Sequence, residues 1–176
     1  MNKHTLAKWA ITTYLTTHQL PLINTQKLPP SLSQKGACFV SVYVNGRLRG
    51  CIGTAQAFEP LYQNIVRNAV AAVSSDWRFP LLTLTDMAHL KIEVSVLTPL
   101  KGYRPKSLSN LLSYLEKNRP GLVLISAGRQ ALFLPQVWQQ LPQPQDFLTH
   151  LCLKAGLSPN TWQDKTTRFS TFNLQP

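Results

Sequence analysis

Acidic residues are scarce in this chain of 176 residues: seven Asp and Glu stand against eighteen Lys and Arg, for a net charge of +11. Such a balance invites a polyanionic partner, nucleic acid above all. Charged residues make up only 14% of the chain, however, so the imbalance is a shortage of acids. The basic residues are dispersed, with no run of four or more. A basic surface without a polyanionic partner is therefore the better expectation, and nucleic acid the lesser one.

Cysteine is also scarce. Cys38, Cys51 and Cys152 are odd in number and form no C-x-x-C. That speaks against a disulfide framework and against a cysteine-built zinc or iron–sulfur site, and it suits a reducing compartment. Long apolar runs are missing: nothing approaches the roughly 20 residues of a membrane span. The opening MNKHTLAKWAITTYLTTHQ is interrupted by Lys and Thr where a signal peptide has an unbroken apolar core. The expectation is a soluble cytoplasmic protein with no membrane partner. G-x-G-x-x-G, P-loop and nucleophile-elbow motifs are absent, and His4, His18, His89 and His150 form no H-x-x-x-H or H-E-x-x-H pair. No metal site is marked, and no cofactor can be named.

What is present describes one domain over residues 1–176 with an ordinary core, since 44% of the chain is hydrophobic. Leu6/Ala7, Ala10/Ile11 and Tyr14/Leu15 recur at helical spacing, so residues 3–18 are predicted as an amphipathic helix. Residues 21–36 are turn-rich. Ala37–Val44, the Asn45-Gly46 pair and Arg47–Thr54 predict a β-hairpin with a type I′ turn. Glu59-Pro60 opens a second helix that runs to about Ser75, Lys91–Thr98 alternates as a strand, and Ser107–Lys117 carries a leucine face. Leu122–Ser126 and Gln130–Leu134 predict a second hairpin through Ala127-Gly128-Arg129. Gln145–Ala155 reads as a helix ended by Gly156, and Arg168–Leu174 as a last strand. Tight hairpins disfavour a doubly wound parallel sheet. The expected class is α+β, a mostly antiparallel sheet packed by helices.

Leu48-Arg49-Gly50-Cys51-Ile52-Gly53 is the segment where chemistry is expected. With a two-residue turn, Val44 pairs with Arg47, Val42 with Arg49 and Val40 with Cys51. Phe39, Tyr43, Leu48 and Ile52 then form the core side. Arg47, Arg49 and Cys51 share the other face with Cys38. Arg49 beside Cys51 would favour the thiolate, and Gly50 and Gly53 would mark a bulge or a close approach of backbone or ligand. The competing reading is a cysteine that packs as a small hydrophobe. Cys152 is expected in the core. His89 is the best placed base, with a surface histidine as the default reading; Asp76, Arg78 and Glu93 are the other polar residues in ordered stretches, where Asp76 also suits a helix end and Glu93 a solvent-facing position.

At LRGCIG the chain resembles the AMMECR-type domain family. The likeness continues through Asn68-Ala69, Asp76 with Arg78-Phe79-Pro80, Ile92–Leu97, Leu132–Val137 and Lys154–Leu157. At Arg119-Pro120-Gly121, Ala131–Trp138, Gln140-Leu141-Pro142 and Lys154–Leu157 the chain resembles more closely the bacterial branch called AmmeMemoRadiSam system protein A. Trp77 and Leu81 stand where that family commonly has proline. The resemblance implies an α+β fold with a smaller second lobe, and a cleft lined by LRGCIG, D-x-R-F and LPQV. Carried over by position, Cys51, Arg49 and Asp76 become the catalytic candidates, and Gly50, Gly53, Arg78, Glu93 and Gln136 the binding candidates. It also implies a Memo-like protein and a radical SAM protein as partners. No reaction follows: an enzyme or small-molecule-binding site at Cys51 stands first, and a non-catalytic module docking one of those partners stands second.

Overall fold

The computed structural model describes residues 1–26 and 28–176. The chain divides into two compact units, Met1–Pro99 with Gln175–Pro176, and Leu100–Leu174. Each is α+β, and every strand pairing in both is antiparallel. The expected antiparallel sheet packed by helices, with a second lobe, takes the form of two sheets, of three and four strands. The strand segments themselves could not reveal this division, because pairing partners are chosen by contacts far apart in the chain.

The first unit begins with α1 (Lys3–Thr17), started by the Asn2 side chain accepting from the Thr5 N–H at 2.9 Å. It buries Leu6, Ala7, Ala10, Ile11 and Leu15, one stripe at helical spacing. A four-residue α2 (Pro30–Ser33) sits in the turn-rich segment. Strands β1 (Ala37–Val44) and β2 (Arg47–Gly53) follow, then α3 (Leu61–Ser74) and β3 (Leu90–Leu97), giving the order β2-β1-β3. Asn45 and Gly46 both take positive φ, 51° and 75°, as a type I′ turn requires. Cys38, Val40, Val42 and Val44 of β1, Ile52 of β2 and Val94 and Val96 of β3 meet α1 and α3 in one core. Burying each of those valines stabilises by about 1.5–3 kcal/mol.

This corrects the sequence reading of the hairpin. Phe39 and Tyr43 lie on the face away from the two helices, and Leu48 is exposed. Both faces of ACFVSVYV are apolar, so alternation alone could not say which one the helices would cover. Cys38 likewise falls in the core, on the opposite face from the expected one.

The second unit contains β4 (Lys101–Tyr103), α4 (Leu108–Asn118), β5 (Gly121–Ser126), β6 (Arg129–Phe133), α5 (Pro144–Lys154) and β7 (Arg168–Phe172), in the sheet order β4-β7-β5-β6. Its core gathers Leu111 and Leu115 of α4, Leu122 and Leu124 of β5, and Phe147, Leu148, Leu151 and Cys152 of α5. Trp138 stacks on Phe147 with ring centroids 3.8 Å apart, and its indole N–H donates to the Pro120 carbonyl at 2.8 Å. Among the described residues no helix is long and apolar enough to cross a membrane.

Candidate functional site

The LRGCIG strand is irregular where the site candidates fall. Val44 faces Arg47 and Tyr43 faces Leu48, as a two-residue turn dictates. Beyond them the register shifts, so that Val42 faces Gly50 and Ser41 faces Cys51. Arg49 is the extra residue of a β-bulge. The expected pairs Val42–Arg49 and Val40–Cys51 are therefore replaced, and Cys51 is carried to the face that Ser41, Tyr43 and Phe39 occupy.

On that face three strands place polar groups side by side. Ser41 lies between Cys51 on β2 and Glu93 on β3. The Ser41 hydroxyl donates to the Cys51 Sγ at 3.2 Å. Tyr43 Oη donates to Glu93 Oε2 at 3.3 Å, and Lys91 Nζ lies 2.8 Å from Glu93 Oε1. Partial burial, then the Glu93 charge, raises the Tyr43 hydroxyl above its ordinary pKa, which keeps it a hydrogen-bond donor. Ser41 is buried, whereas Cys51 is partly open.

Asp76 and Arg78 hold the backbone of Cys51 from the outer edge of the sheet. Asp76 Oδ2 accepts the Cys51 N–H at 2.8 Å, and Arg78 Nη2 donates to the Cys51 carbonyl at 2.8 Å. The two side chains also pair with each other, Arg78 Nε to Asp76 Oδ1 at 2.8 Å and Nη2 to Oδ2 at 2.7 Å. An edge strand leaves backbone groups without a neighbouring strand, and this fork–fork pair satisfies both at one residue. The Arg78 hydrogen bonds hold the Asp76 carboxyl below the usual carboxylate range, and the same pairing, with a smaller contribution from Cys51, raises Arg78. Asp76 is thus an engaged anion, which answers the question of whether it merely ends α3.

Arg49 stands in the bulge and not opposite Val42. The cation that bonds Cys51 is Arg78, while the Arg49 charge contributes to lowering the Asp86 carboxyl, after the larger effect of Thr83. Its Nε is buried without a hydrogen-bond partner. Gly50 is needed for packing: a Cβ there would stand 1.9 Å from the Ala72 carbonyl oxygen, so the glycine lets α3 press on β2. Gly53 lies under the Phe39 ring, which a Cβ would meet at 2.2 Å. Gln136 belongs to the second unit, exposed on the 3-10 turn Pro135–Gln139. His89 is exposed at the end of the 3-10 segment Leu84–His89.

Ser41 escaped the sequence reading, although a lone hydroxyl inside an apolar strand is a legible signal. So did a buried pair on α3. Asn64 Oδ1 accepts the Cys38 N–H at 2.9 Å, and Asn68 Nδ2 donates to the Cys38 carbonyl at 3.2 Å and to Asn64 Oδ1 at 3.0 Å. Asn64 Nδ2 also reaches Glu59 Oε1 at 2.7 Å, which Arg67 pairs at 2.6 Å. Two asparagines four residues apart on an apolar helix face were the available clue. They tie the start of β1 to α3, and burial pushes the Cys38 thiol up to about 12.

Chemically the site offers a partly open thiol with a hydroxyl donor at its sulfur, beside a carboxylate and a phenol. Among the described residues no cluster of three or more His, Cys, Asp or Glu is placed to hold a metal ion.

The sequence matches the AMMECR1 family model over residues 4–176. A protein of Methanopyrus kandleri is 34% identical, the alignment covering 97% of this chain and 83% of that one. A Methanocaldococcus jannaschii protein is 35% identical over 85% of this chain and 76% of its own length. The crystal structure of an uncharacterised protein of Pyrococcus horikoshii superposes with a TM-score of 0.87 at 31% identity, covering 98% of this chain and 87% of that one.

Proposed function

The chain belongs to the AMMECR1 family, and from that premise we propose that it binds a small molecule, or acts on one as an enzyme, at the polar sheet face centred on Cys51. The observation that carries this reading is the hydrogen bond from Ser41 to the sulfur of Cys51, the one cysteine of three that is not buried. Cys51 is the group that meets the ligand, and Ser41 orients its sulfur. Glu93 and Tyr43 line the same face. Asp76 and Arg78 act as positioning residues through the Cys51 backbone, while Gly50 and Gly53 keep the strand close to its neighbours.

The protein is further proposed to work as one domain over residues 1–176, in the cytoplasm, as component A of an AmmeMemoRadiSam system. The segments around Arg119, Trp138 and Leu141 support that branch. A Memo-like protein and a radical SAM protein are its proposed partners, and radical chemistry would belong to the latter. A second reading, a non-catalytic module that docks one of these partners, draws on a specific observation. Asp76 and Arg78 are both engaged on backbone groups of Cys51, so neither is free to serve as an acid or a base. Nucleic acid ranks below both.

Iodoacetamide labelling of the folded protein, mapped by mass spectrometry, tests the first reading. Cys51 should react while Cys38 and Cys152 are protected by burial. Cys51→Ser should then fail to complement a strain lacking the gene. Protection of Cys51, or full complementation, would move the assignment to the docking module, which co-purification with the two partners tests.

A further inference from the structure

Three large apolar side chains stand in water on one eight-residue segment: Trp77 is 91% exposed, Leu81 68% and Leu84 51%. Single exposed leucines are ordinary, but a group of this kind marks interaction surfaces. The segment is held in place. Asp76 and Arg78, on either side of Trp77, both bond Cys51. Leu82 N–H donates to the Val73 carbonyl at 3.2 Å, and the Asp86 carboxylate accepts the Thr83 N–H at 2.8 Å. Apolar side chains on a fixed backbone lose little freedom on docking. Tryptophan and arginine are the residue types enriched at interface hot spots.

The charges near this segment point to the partner. All four carboxylates of the first unit are engaged inside it: Glu59 with Arg67, Asp76 with Arg78, Glu93 with Lys91, and Asp86 with Thr83. Arg49 and Arg47 lie two and four residues before Cys51 on β2, and the Arg49 charge acts on Asp86, two residues past Leu84. Neither makes an ion pair among the described residues, and Arg47 is exposed. The surface therefore presents apolar anchors and cations but no free carboxylate.

We infer that the Trp77–Leu84 segment, with the Arg49 cation near its C-terminal end, is a docking surface for a protein segment that carries carboxylates around an apolar anchor. An anionic membrane fits less well, since electrostatic attachment uses clusters of about four to eight Lys or Arg, and no two basic residues are adjacent in this chain. Nucleic acid leaves Leu81 and Leu84 without a role. The inference rests on the docking reading above only in requiring that a protein partner exists.

A random peptide library displayed on phage, selected on the full chain and counter-selected on Trp77→Ala, tests it. Enriched peptides should carry Asp or Glu within a few residues of Leu, Phe or Trp. A selected peptide, followed by fluorescence anisotropy, should bind Trp77→Ala or Leu81→Ser roughly thirtyfold more weakly, the factor of a hot-spot residue. Its binding should also weaken as salt rises. Both side chains are exposed, so unchanged melting curves will show that the variants are folded. Enrichment without acidic residues overturns the inference, and so does selection that never depends on Trp77. Trp77-dependent binding of phosphatidylglycerol vesicles or poly(U), tighter than that of the peptide, overturns it as well. Failure to recover a Memo-like or radical SAM protein bears on the identity of the partner, so the two readings fail separately.

Discussion

The two β-hairpins of this protein start from the same turn and differ in register. Asn45-Gly46 and Ala127-Gly128 both take positive φ, 51° and 75° in the first, 48° and 73° in the second. From Ala127-Gly128 the pairing of β5 with β6 runs regularly from Ser126–Arg129 to Leu122–Phe133. From Asn45-Gly46 the register shifts after two pairs. The regular hairpin feeds Leu122, Leu124 and Ala131 into a core. The shifted one turns a cysteine out of the core, sets a serine against its sulfur and fastens its backbone with an aspartate and an arginine. A single extra residue in one strand separates the shifted hairpin from the regular one.

Substitutions that treat the hairpins unequally sharpen this contrast. Gly50→Val should have the largest effect, because its side chain meets the Ala72 carbonyl oxygen and α3 must move. A loss of roughly 3 kcal/mol or more is expected for overpacking of this kind, read from denaturant melts. A variant that melts like wild type would mean that α3 does not rest on β2.

Asp76→Asn comes next. It leaves Arg78 without its carboxylate, although Arg78 is 44% exposed and so partly solvated. About 2–3 kcal/mol is expected, below the range for a fully buried pair. The pH dependence carries the sign. The Asp76 pKa is lowered on folding, so its contribution is complete above the unfolded carboxylate pKa of about 4. It is lost as pH falls through the lower folded value. Acid titration of stability should therefore be steeper below about pH 4 in wild type than in Asp76→Asn. Equal slopes would show that the pairing with Arg78 does not stabilise the fold.

Gly128→Ala and Gly46→Ala should be alike. Each adds a methyl group in open space to a residue with positive φ, costing about 1 kcal/mol. A large difference between them would mean that the turns, and not the bulge, set the hairpins apart. Ser41→Ala should be the mildest in stability, about 0.5–1.5 kcal/mol for one hydrogen bond. It should still change the rate at which iodoacetamide labels Cys51, and Ser41→Thr should restore it. An unchanged rate in Ser41→Ala would show that the hydroxyl has no influence on the sulfur.

Much of the fold was legible in the sequence. Helix spans were readable because one buried stripe imposes its period, as Leu6 to Leu15 shows, and turn residues marked both hairpins. The site was legible in part. LRGCIG and D-x-R stood out, and the structure brings Cys51, Asp76 and Arg78 into hydrogen-bond contact. Their roles did not, because Asp76 and Arg78 act on backbone groups, and a sequence carries no mark of which backbone groups lack a partner. Ser41 and Asn64 went unread, and Asn68 was read only within the family likeness, since a polar residue inside an apolar run gains meaning only from the atom it faces.

The sequence by itself determined the elements, the antiparallel character of the pairing, the family and the scarcity of acids that leaves the surface basic. Local propensity, periodicity and turn chemistry are properties of neighbouring residues, so they can be read along the chain. Tertiary structure alone decided the division into two sheets, the face of β1 that the helices cover, and the bulge at Arg49 that sets Cys51 against Ser41. Each depends on contacts between segments far apart in the chain, where α3 pressing on Gly50 and Asp76 reaching the Cys51 N–H select one register among several that local sequence permits.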